Sequence, residues 1–438
     1  MSKDNIFEIK EKPNKVERAL LLRMTFDKNN SEDEALLEEL KELVTTLEVG
    51  IVAAELAFVR KKNTKWLCGT GKAIEFIELA KSLDCDCIIF DNELSPMQQR
   101  AWEKESGITV IDREEVILDI FASRARTQEA QLQVQLARMH YALPRMAKMW
   151  THLDRQGGAG GGAATRGEGE KQIEVDRRIA RERIARVREE LDKVLVQRKT
   201  QRKQRERNAL SHAAIVGYTN AGKSTLLNAL SQSDIYAEDK LFATLDPTTR
   251  KIELPNGQPL LITDTVGFIR NLPHRLVESF KATLEEAVLA DFLIHVLDAS
   301  EPQFEAFYNA TRKVLAELGI ENKPQLLVLN KIDQISPEEK RAFKTRFPDC
   351  VLVSAKNHET LPYLMQSFAH MLEDKVVCEH YLLPHDRGDL LALLYAQGKV
   401  LDLQHQSQGA WVSAVVPKDL ENKFASYVTK EPKEELDL

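Results

Sequence analysis

The sequence predicts a protein of the α/β class with several domains, and three observations carry that prediction. The chain has 438 residues, which is room for two to four domains at about 100–200 residues each. Its first part alternates apolar runs with polar helical stretches, a pattern typical of a small, mostly parallel α/β domain. Further along, a glycine-rich phosphate-binding sequence stands between an apolar strand and a helix.

The N-terminal α/β domain is predicted to span residues 1–126. Its strand-like runs are Ala19–Met24, Ile51–Val59, Cys87–Phe90 and Ile108–Ile111, and the helical stretches between them include Ser31–Leu47, Lys72–Leu83 and Ser95–Glu105. The stretch "GTGKA" (69–73) is similar to a shortened phosphate loop. It lacks the first glycine at the right spacing and the following Ser or Thr, so we interpret it as a turn that starts a helix.

An antiparallel helical hairpin is predicted over residues 127–210. Two short apolar seams repeat at alternating spacings of three and four: Leu132, Leu136, Met139 and Leu143, then Ala180, Ile184, Val187, Leu191 and Val194. The glycine-rich stretch 155–172 lies between them and favours a mobile loop over a helix. We expect the seams to pack together with this loop at the tip, as a functional element and not a plain linker.

The second helix of the hairpin concentrates positive charge. Residues 177–207 contain 13 Lys and Arg and 5 Asp and Glu, an excess of 8 cations in a chain whose net charge is −7. Most of these cations are arginine, whose planar fork suits phosphate. The excess predicts contact with RNA, and the lack of aromatic residues there indicates recognition of backbone and shape. The alternative is a solvated helix face.

The phosphate-binding motif is "GYTNAGKS" (217–224), which fits G-x-x-x-x-G-K-S in full. It lies between the apolar run Ala213–Val216 and the helical stretch Thr225–Leu230. In this motif the backbone amides wrap the phosphates, Lys223 reaches the β- and γ-phosphate oxygens, and the Ser224 hydroxyl ligates Mg²⁺. The motif therefore predicts a nucleoside triphosphate site with Mg²⁺ as its cofactor.

Two further motifs concern the phosphates and the metal. "DTVGF" (264–268) follows an apolar run, so Asp264 is expected beside the Mg²⁺ ion and the Gly267 amide at the γ-phosphate. "FATLDPTTR" (242–250) fills the switch segment, in which a threonine completes the metal shell. Thr244 is the predicted ligand, while Thr248 and Thr249 are expected to shape the loop.

Two motifs concern the base. "NKID" (330–333) ends the apolar run Gln325–Leu329, and its Asp333 can accept hydrogen bonds from the N1 and N2 hydrogens of guanine, while Lys331 lies along the base. "SAK" (354–356) follows the apolar run Cys350–Val353 and is expected to support the guanine O6 through a backbone amide. The five motifs in this order predict a GTPase domain over residues 211–373, with GTP as substrate and GDP as product.

The predicted catalytic residues are Lys223, Thr244 and Gly267, and the predicted Mg²⁺ ligands are Ser224 and Thr244. The predicted nucleotide-binding residues are Gly217, Tyr218, Thr219, Asn220, Ala221, Gly222, Lys223, Ser224, Thr225, Phe242, Ala243, Thr244, Leu245, Asp246, Asp264, Thr265, Val266, Gly267, Asn330, Lys331, Ile332, Asp333, Ser354, Ala355 and Lys356.

Phe268 stands where small GTPases have the glutamine that orients the attacking water. A phenylalanine can neither donate nor accept a hydrogen bond. The sequence therefore predicts slow hydrolysis, with the water positioned by another group that an activating partner or the switch segment supplies.

The motifs GYTNAGKST, LFATLDPTTR, DTVGFIRNLPH, NKID and SAK, together with RGEGE…EVDRR (166–178) and residues 110–137, resemble the HflX family in the translation-factor class of P-loop GTPases. The resemblance covers nearly the whole chain to about residue 373. It implies an N-terminal α/β domain, a helical hairpin and a GTPase domain. It also implies binding to the large (50S) ribosomal subunit and its RNA, with the hairpin loop directed towards the peptidyl-transferase centre. The family commonly has Pro where this loop has Glu168.

The resemblance implies a role in ribosome splitting, rescue or biogenesis, with hydrolysis stimulated by the ribosome. Two alternatives stay open from the residues alone. One is a slow GTP switch that docks a protein partner through its hairpin. The other is a nucleotide-driven RNA remodeller with a second nucleotide site near GTGKA.

The remaining sequence features concern the C-terminal domain and the expected location of the protein in the cell. Residues 374–438 predict a small α+β domain, with Trp411 in its core. The five cysteines are scattered, which favours a reducing cytoplasm over a disulfide framework. The charged N-terminus and the lack of an apolar run of about 20 residues argue against a signal peptide and membrane insertion. We expect a cytoplasmic monomer, partly bound to ribosomes.

Overall fold

The computed structural model describes residues 16–27, 32–146, 164–206, 210–231, 241–242, 244–271, 281–373 and 376–429. The chain divides into two compact units. Unit 1 comprises Met1–Asp192, Lys240–Phe242 and Arg270–Phe280, and unit 2 comprises Lys193–Asp239, Ala243–Ile269 and Lys281–Leu438. In the part of the chain that the structure describes, no helix is both long and apolar enough to span a membrane.

Unit 1 contains a sheet of four parallel strands in the order β2-β1-β3-β4. The strands are β1 (Arg18–Thr25), β2 (Gly50–Phe58), β3 (Cys87–Phe90) and β4 (Thr109–Asp112). The helices that alternate with them are α1 (Glu32–Thr46), α2 (Thr70–Ser82), α3 (Pro96–Ser106) and α4 (Arg113–Arg124). The predicted α/β class is confirmed, and each strand-like run forms a strand within one residue of its predicted ends.

The period of two along β1 brings Leu20 and Leu22 into one apolar cluster with Phe76 of α2 and Trp102 of α3. Trp102 is fully buried, and its indole N–H donates to the carbonyl of Trp66 at 3.1 Å. The GTGKA stretch is the start of α2, which begins at Thr70. Its interpretation as a turn that starts a helix is therefore confirmed.

Two long helices follow, α5 (Gln128–Met146) and α6 (Ala164–Glu206). The seam residues that are buried in the structure are Leu132, Leu136, Ala180, Ile184, Val187 and Leu191, and those that are half-buried are Met139, Leu143 and Val194. The predicted apolar stripes therefore lie on the covered sides of their helices.

The prediction of a loop through residue 172 was wrong, because α6 already begins at Ala164. Gly167 and Gly169 each cost about 1 kcal/mol relative to alanine in a helix. Their neighbours in this stretch are mostly strong helix formers, and adding residues to an existing helix is far cheaper than nucleating a new one. The predicted tip of the hairpin, residues 147–163, lies outside the described residues.

Unit 2 contains a six-stranded sheet in the order β10-β9-β8-β5-β7-β6, in which only β6 is antiparallel to its neighbour. The strands are β5 (Ser211–Gly217), β6 (Thr248–Glu253), β7 (Pro259–Asp264), β8 (Phe292–Asp298), β9 (Gln325–Asn330) and β10 (Val351–Leu352). The helices are α7 (Lys223–Ser231), α8 (Lys281–Leu289), α9 (Phe304–Glu317), α10 (Pro337–Arg346) and α11 (Leu361–Met371). Parallel strands bring their carboxyl ends to one edge, where open α/β sheets bind ligands.

The C-terminal part of unit 2 is a four-stranded antiparallel sheet in the order β12-β13-β11-β14. It is built from β11 (Val376–Leu383), α12 (Gly388–Gln397), β12 (Lys399–Gln406), β13 (Gly409–Pro417), α13 (Lys418–Phe424) and β14 (Val428–Thr429). Trp411 is buried and stacks on His380 with ring centroids 5.0 Å apart. Its predicted place in the core is confirmed.

Candidate nucleotide site

The loop between β5 and α7 depends on backbone geometry that its glycines permit. Gly222 has a φ of +84°, and a Cβ there would lie 2.3 Å from the Nδ2 atom of Asn330. A Cβ on Gly217 would lie 2.1 Å from the carbonyl oxygen of Val296. Both positions therefore exclude a side chain, and the loop can present its amides at the N-terminus of α7, a favourable place for an anion.

Lys223, the first residue of α7, is buried at the centre of this loop. Its Nζ donates to the carbonyl of Tyr218 at 2.6 Å. Burial lowers the pKa of Lys223 to about 8, against the opposing effect of the nearby Asp264 carboxylate. The ammonium is thus held in the loop, and an approaching polyanion would favour its charged form.

Three side-chain oxygens meet where the carboxyl end of β7 faces α7. The Ser224 Oγ lies 2.6 Å from the Thr244 Oγ1 and donates to the Asp264 Oδ2 at 2.6 Å. The second carboxylate oxygen of Asp264, Oδ1, is buried and has no hydrogen-bond partner among the described residues. Burial also raises the pKa of Asp264.

This group of oxygens fits a magnesium ion. Mg²⁺ takes oxygen ligands, keeps several waters and is held by one or two carboxylates together with substrate phosphates. Two hydroxyls beside one carboxylate with an unsatisfied oxygen provide that donor set. Among the described residues there is no group of three or more His, Cys, Asp or Glu that could hold a metal ion.

The DTVGF segment lies against the phosphate loop through its backbone. The Phe268 amide donates to the Gly217 carbonyl at 3.0 Å, and the Thr219 amide donates to the Phe268 carbonyl at 2.8 Å. A Cβ on Gly267 would lie 2.9 Å from the Lys223 Nζ and 2.8 Å from the Thr219 Cγ2. Gly267 is therefore next to Lys223, the lysine predicted to contact the phosphates, and the Phe268 ring is buried with 1% of its surface exposed.

Asn330 at the end of β9 joins two of the predicted loops. Its Nδ2 donates to the carbonyl of Ala221 at 2.9 Å, and its Oδ1 accepts from the amide of Ala355 at 3.0 Å. The side chain is buried, so both bonds are shielded from water. Asn330 thus fixes the phosphate loop relative to the SAK segment, and its own side chain is already engaged.

The two remaining polar residues of NKID are held in place by neighbours. The Lys331 Nζ forms an ion pair with the Asp298 Oδ2 at 2.7 Å. Asp333 is exposed, and its Oδ1 accepts from the Ser354 hydroxyl at 2.6 Å. This hydrogen bond lowers the pKa of Asp333, which keeps the carboxylate charged and able to accept from a base.

Two of the three backbone amides of the SAK segment already donate hydrogen bonds within the protein. The Ser354 amide donates to the Thr360 hydroxyl at 3.0 Å, and the Ala355 amide donates to Asn330. The amide of Lys356 is therefore the one that we expect at a guanine O6.

Several predicted nucleotide-binding residues use their side chains for packing. Tyr218 stacks on Phe307 with ring centroids 3.8 Å apart. Phe242 belongs to unit 1, where its ring packs edge-on against Phe121 at 4.7 Å. The Thr265 hydroxyl donates to the Ile215 carbonyl at 2.6 Å. These side chains are therefore already engaged in contacts within the protein, and Ala243 lies outside the described residues.

Sequence reasoning did not single out Asp298, which orients Lys331, or Phe307, which supports Tyr218. Asp298 has a signal that could have identified it. Like Asp264 and Asn330, it is a polar residue at the carboxyl end of a buried strand, and such ends line the binding edge of a parallel sheet. Phe307 has no comparable signal, because its helical position is typical of core packing.

Three family models match the chain. Residues 34–122 match the GTP-binding GTPase N-terminal family, residues 124–205 match the GTP-binding GTPase Middle Region, and residues 212–331 match the 50S ribosome-binding GTPase family. Together these matches cover three of the four strands of the unit 1 sheet, nearly all of the helices α5 and α6, and most of the site described above.

Curated relatives resemble the chain over most of its length. The GTPase HflX of Akkermansia muciniphila is 55% identical over 434 residues, which is 97% of this chain and 99% of that protein. The GTPase HflX of Escherichia coli K12 is 39% identical, covering 86% of this chain and 88% of that protein. A solved GTP-binding protein of Sulfolobus solfataricus with GDP covers 82% of this chain and 99% of its own, at 23% identity and a TM-score of 0.41. The identity to the first two relatives and the matching family models show that this chain is a GTPase and belongs to the HflX family.

Proposed function

We propose that this GTPase binds the large ribosomal subunit through the α6 helix and that the bound ribosome accelerates GTP hydrolysis. The observation that carries the proposal is the division of α6 into two sides. Its apolar seam, which includes Ile184 and Val187, is buried, while Arg181, Arg186 and Arg188 are exposed. A helix that hides its apolar side and turns several arginines to solvent fits a polyphosphate surface.

One ion pair within this helix is weak. Arg178 lies 3.9 Å from Glu182, one turn away, and both side chains are exposed. An exposed pair of this kind is worth about 0–1 kcal/mol, so it gives way easily to a phosphate. The family description of residues 212–331 as a 50S ribosome-binding GTPase supports ribosomal RNA as the source of those phosphates.

The site supports hydrolysis by positioning and charge. Lys223 would place its ammonium on the β- and γ-phosphate oxygens, and the Gly267 amide would donate to the γ-phosphate. Ser224 and Thr244 would hold Mg²⁺ with Asp264 beside it, and the bound ion would neutralise charge on the phosphate oxygens. Asp333 would accept from the N1 and N2 hydrogens of guanine, which adenine does not offer in that pattern.

The residue after Gly267 cannot assist the water. The Phe268 ring is buried and carries no hydrogen-bonding atom. The group that orients the water must therefore come from elsewhere, and a ribosome that orders the switch segment (242–250) and the DTVGF segment would provide or place it. The GTP-bound protein would associate with the ribosome, hydrolyse GTP and then dissociate. The γ-phosphate would keep the switch segment ordered until it is lost.

The test is co-sedimentation of the protein with purified 50S subunits through a sucrose cushion, with a non-hydrolysable GTP analogue and with GDP. The analogue should favour binding. Neutralising Arg181, Arg186 and Arg188 to Gln should weaken binding and lower the slope of log affinity against log salt by about two to three, at roughly 0.7–0.9 per lost phosphate contact. The control neutralises three exposed cations elsewhere: Lys104, Lys313 and Arg341.

Two results would contradict the proposal. A wild-type protein that stays in the supernatant in both nucleotide states would remove ribosome binding altogether. An unchanged salt slope in the α6 variant would mean that α6 is a solvated face, and a protein partner would become the better hypothesis. The finer role, splitting or rescue of ribosomes by a cytoplasmic monomer, is tested by whether the analogue-bound protein converts 70S ribosomes into subunits.

A further inference from the structure

A second group of cations lies in unit 1, in the loop that follows β2. Residues 59–73 contain five Lys and Arg and no Asp or Glu. Four of these cations fall within residues 60–65, which we call the 60–65 loop, and all four side chains are exposed: Arg60, Lys61, Lys62 and Lys65. Among the described residues none of the four forms an ion pair, so their charge is available to a partner.

The 60–65 loop is held in one conformation by its backbone and by one asparagine. The Asn63 Oδ1 accepts from the amides of Lys65 at 2.8 Å and Trp66 at 3.1 Å. The Leu67 amide donates to the Asn63 carbonyl at 2.9 Å, which closes the loop on itself. A closed loop of this kind loses little conformational entropy when it meets a charged surface.

The base of the loop is anchored in the apolar core. Trp66 is buried and packs edge-on against Trp102 at 5.6 Å. The Gln98 side chain donates to the Asn63 carbonyl at 3.3 Å, so α3 also supports the loop. The cations therefore lie on a loop that is anchored in the packed core of the domain.

Aromatic rings fix two of the cations without neutralising them. The Lys62 Nζ lies 4.5 Å from the centre of the Phe26 ring, and the Lys65 Nζ lies 4.5 Å from the Trp66 ring. A ring attracts an ammonium through its quadrupole but leaves the positive charge in place. Phe26, with 37% of its surface exposed, also adds a flat face beside the cations.

We propose that the 60–65 loop is a second RNA-binding surface, which contacts phosphates of the RNA backbone. The proposal rests on the proposed ribosome association, because a large polyanion can meet both α6 and this loop. Fixed, unpaired cations fit the regular charge of an RNA backbone, which rewards each neutralised phosphate by releasing counterions. The chain as a whole carries a net charge of −7, so only a local surface of this kind can attract a polyanion at physiological salt, where charges act over about 8 Å.

The experiment replaces Arg60, Lys61, Lys62 and Lys65 together with Gln in the full chain and leaves Asn63 and Trp66 in place. Binding is measured over a range of salt to two probes: purified 50S subunits, and a fluorescent RNA duplex of about 20 base pairs. We expect the salt slope to fall by about three with both probes, at roughly 0.7–0.9 per contact, and binding at about 0.15 M salt to weaken at least tenfold. The control removes four other exposed cations: Lys81, Lys104, Lys313 and Arg341.

The outcomes separate this inference from the proposed function. A wild-type protein that binds the duplex but not 50S subunits would contradict the proposed function. The inference about the 60–65 loop would then still be tested by comparing the duplex binding of the loop variant with that of the wild type. Wild-type binding with an unchanged slope in the loop variant would overturn the RNA surface alone. Weaker 50S binding at an unchanged slope would also overturn it, because the partner would then be a ribosomal protein. An equal loss in the control variant would show that net charge is responsible, and not the loop.

Discussion

The Nε of Arg270 lies 3.1 Å from the Oε2 of Glu39, and the two side chains are only 10% and 5% exposed. Arg113 completes the arrangement, since its guanidinium lies 3.0 Å from the other oxygen of Glu39 and donates to the Arg270 carbonyl at 3.2 Å. Arg113 also pairs with Asp91 at 2.7 Å. Unit 1 thus holds Arg270, the residue that directly follows DTVGFI, in a buried network of charges.

Replacing Glu39 with Gln is expected to destabilise unit 1 strongly. The amide keeps the shape of the side chain but removes the charge that faces two buried arginines. Removing one partner of a buried ion pair costs about 3–5 kcal/mol, because the remaining charge is left uncompensated. Chemical denaturation followed by a fluorescent probe in unit 1 measures this loss.

Glu38 provides a matched control in the same helix. It pairs with Lys41 at 2.6 Å, but two thirds of its side chain is exposed. Glu38→Gln should therefore change the free energy of unfolding by less than about 1 kcal/mol. Similar losses for the two variants would show that the network around Glu39 contributes no more than a surface pair.

His295 in β8 predicts that the protein loses stability as the pH falls. The ring is buried, and burial lowers the pKa of His295 from 6.5 to about 3, with Arg312 and Lys223 acting in the same direction. The unfolded chain therefore binds a proton between these two values while the folded chain does not. Stability from this group is complete above pH 6.5 and falls below it by up to about 1.4 kcal/mol per pH unit.

The measurement compares the wild type with His295→Phe, which keeps a ring stacked on Tyr308. The variant should show a smaller loss of unfolding free energy between pH 6.5 and pH 4.5. His405, which is exposed on β12, gives the control His405→Gln. If His295→Phe and wild type lose stability in parallel, then other groups account for the acid sensitivity.

Four of the five motifs begin at or just after the end of a strand of one sheet, and that position is what the sequence alone indicates about the candidate site. Gly217, Asp264 and Asn330 end three strands of one sheet, so their positions follow once the strands are recognised as parallel. Thr244 lies near Asp264 for a different reason, because the strand that follows it, β6, pairs antiparallel with β7 and sets Thr248 opposite Asp264. Local sequence pattern is sufficient to predict that motifs lie close together when they end neighbouring strands of one sheet.

Other features could not be predicted because they depend on tertiary pairing. Glu39 and Arg270 are separated by 231 residues, and no period or motif in either segment relates them. The contact between the rings of Phe242 and Phe121 likewise joins residues that are far apart in the sequence. The start of α6 at Ala164 is not evident from the sequence, because Gly167 and Gly169 have low helix propensity, yet the long helix that follows extends through them.

Asp333→Asn is expected to change the preferred base. The carboxylate is exposed and accepts only one bond within the described residues, from Ser354, so it can accept from guanine N1 and N2. An amide presents one donor and one acceptor, which suits xanthine better than guanine. Each lost hydrogen bond to a charged group costs roughly 1.5–3 kcal/mol, so GTP affinity should fall at least tenfold.

Competition between guanosine and xanthosine diphosphates measures this change of preference. The exposed Glu338 in α10 gives the control Glu338→Gln, which should bind GTP as the wild type does. Wild-type GTP affinity in Asp333→Asn would contradict the assignment of NKID as the base-binding motif.

The last prediction concerns Phe268 and the rate of hydrolysis. Phe268→Ala would remove a buried ring at a cost of about 3–5 kcal/mol, so the informative variant is Phe268→Leu, which keeps an apolar side chain. With no hydrogen-bonding group at this position, the isolated wild type should hydrolyse GTP at about 10⁻⁴–10⁻² s⁻¹ in a single turnover. Phe268→Leu should keep that basal rate, because the backbone bonds to Gly217 and Thr219 remain.

Purified 50S subunits should raise the wild-type rate many-fold by ordering the switch segment and the DTVGF segment and by placing the missing group. Phe268→Leu should lower the stimulated rate only if packing of the ring helps to hold the DTVGF segment against the phosphate loop. Lys223→Ala should abolish the basal and the stimulated rate, because it removes the ammonium group that the phosphate loop would place on the phosphates. Equal single-turnover rates with and without subunits would rule out activation by the ribosome and leave the water-positioning group to the switch segment or to another partner.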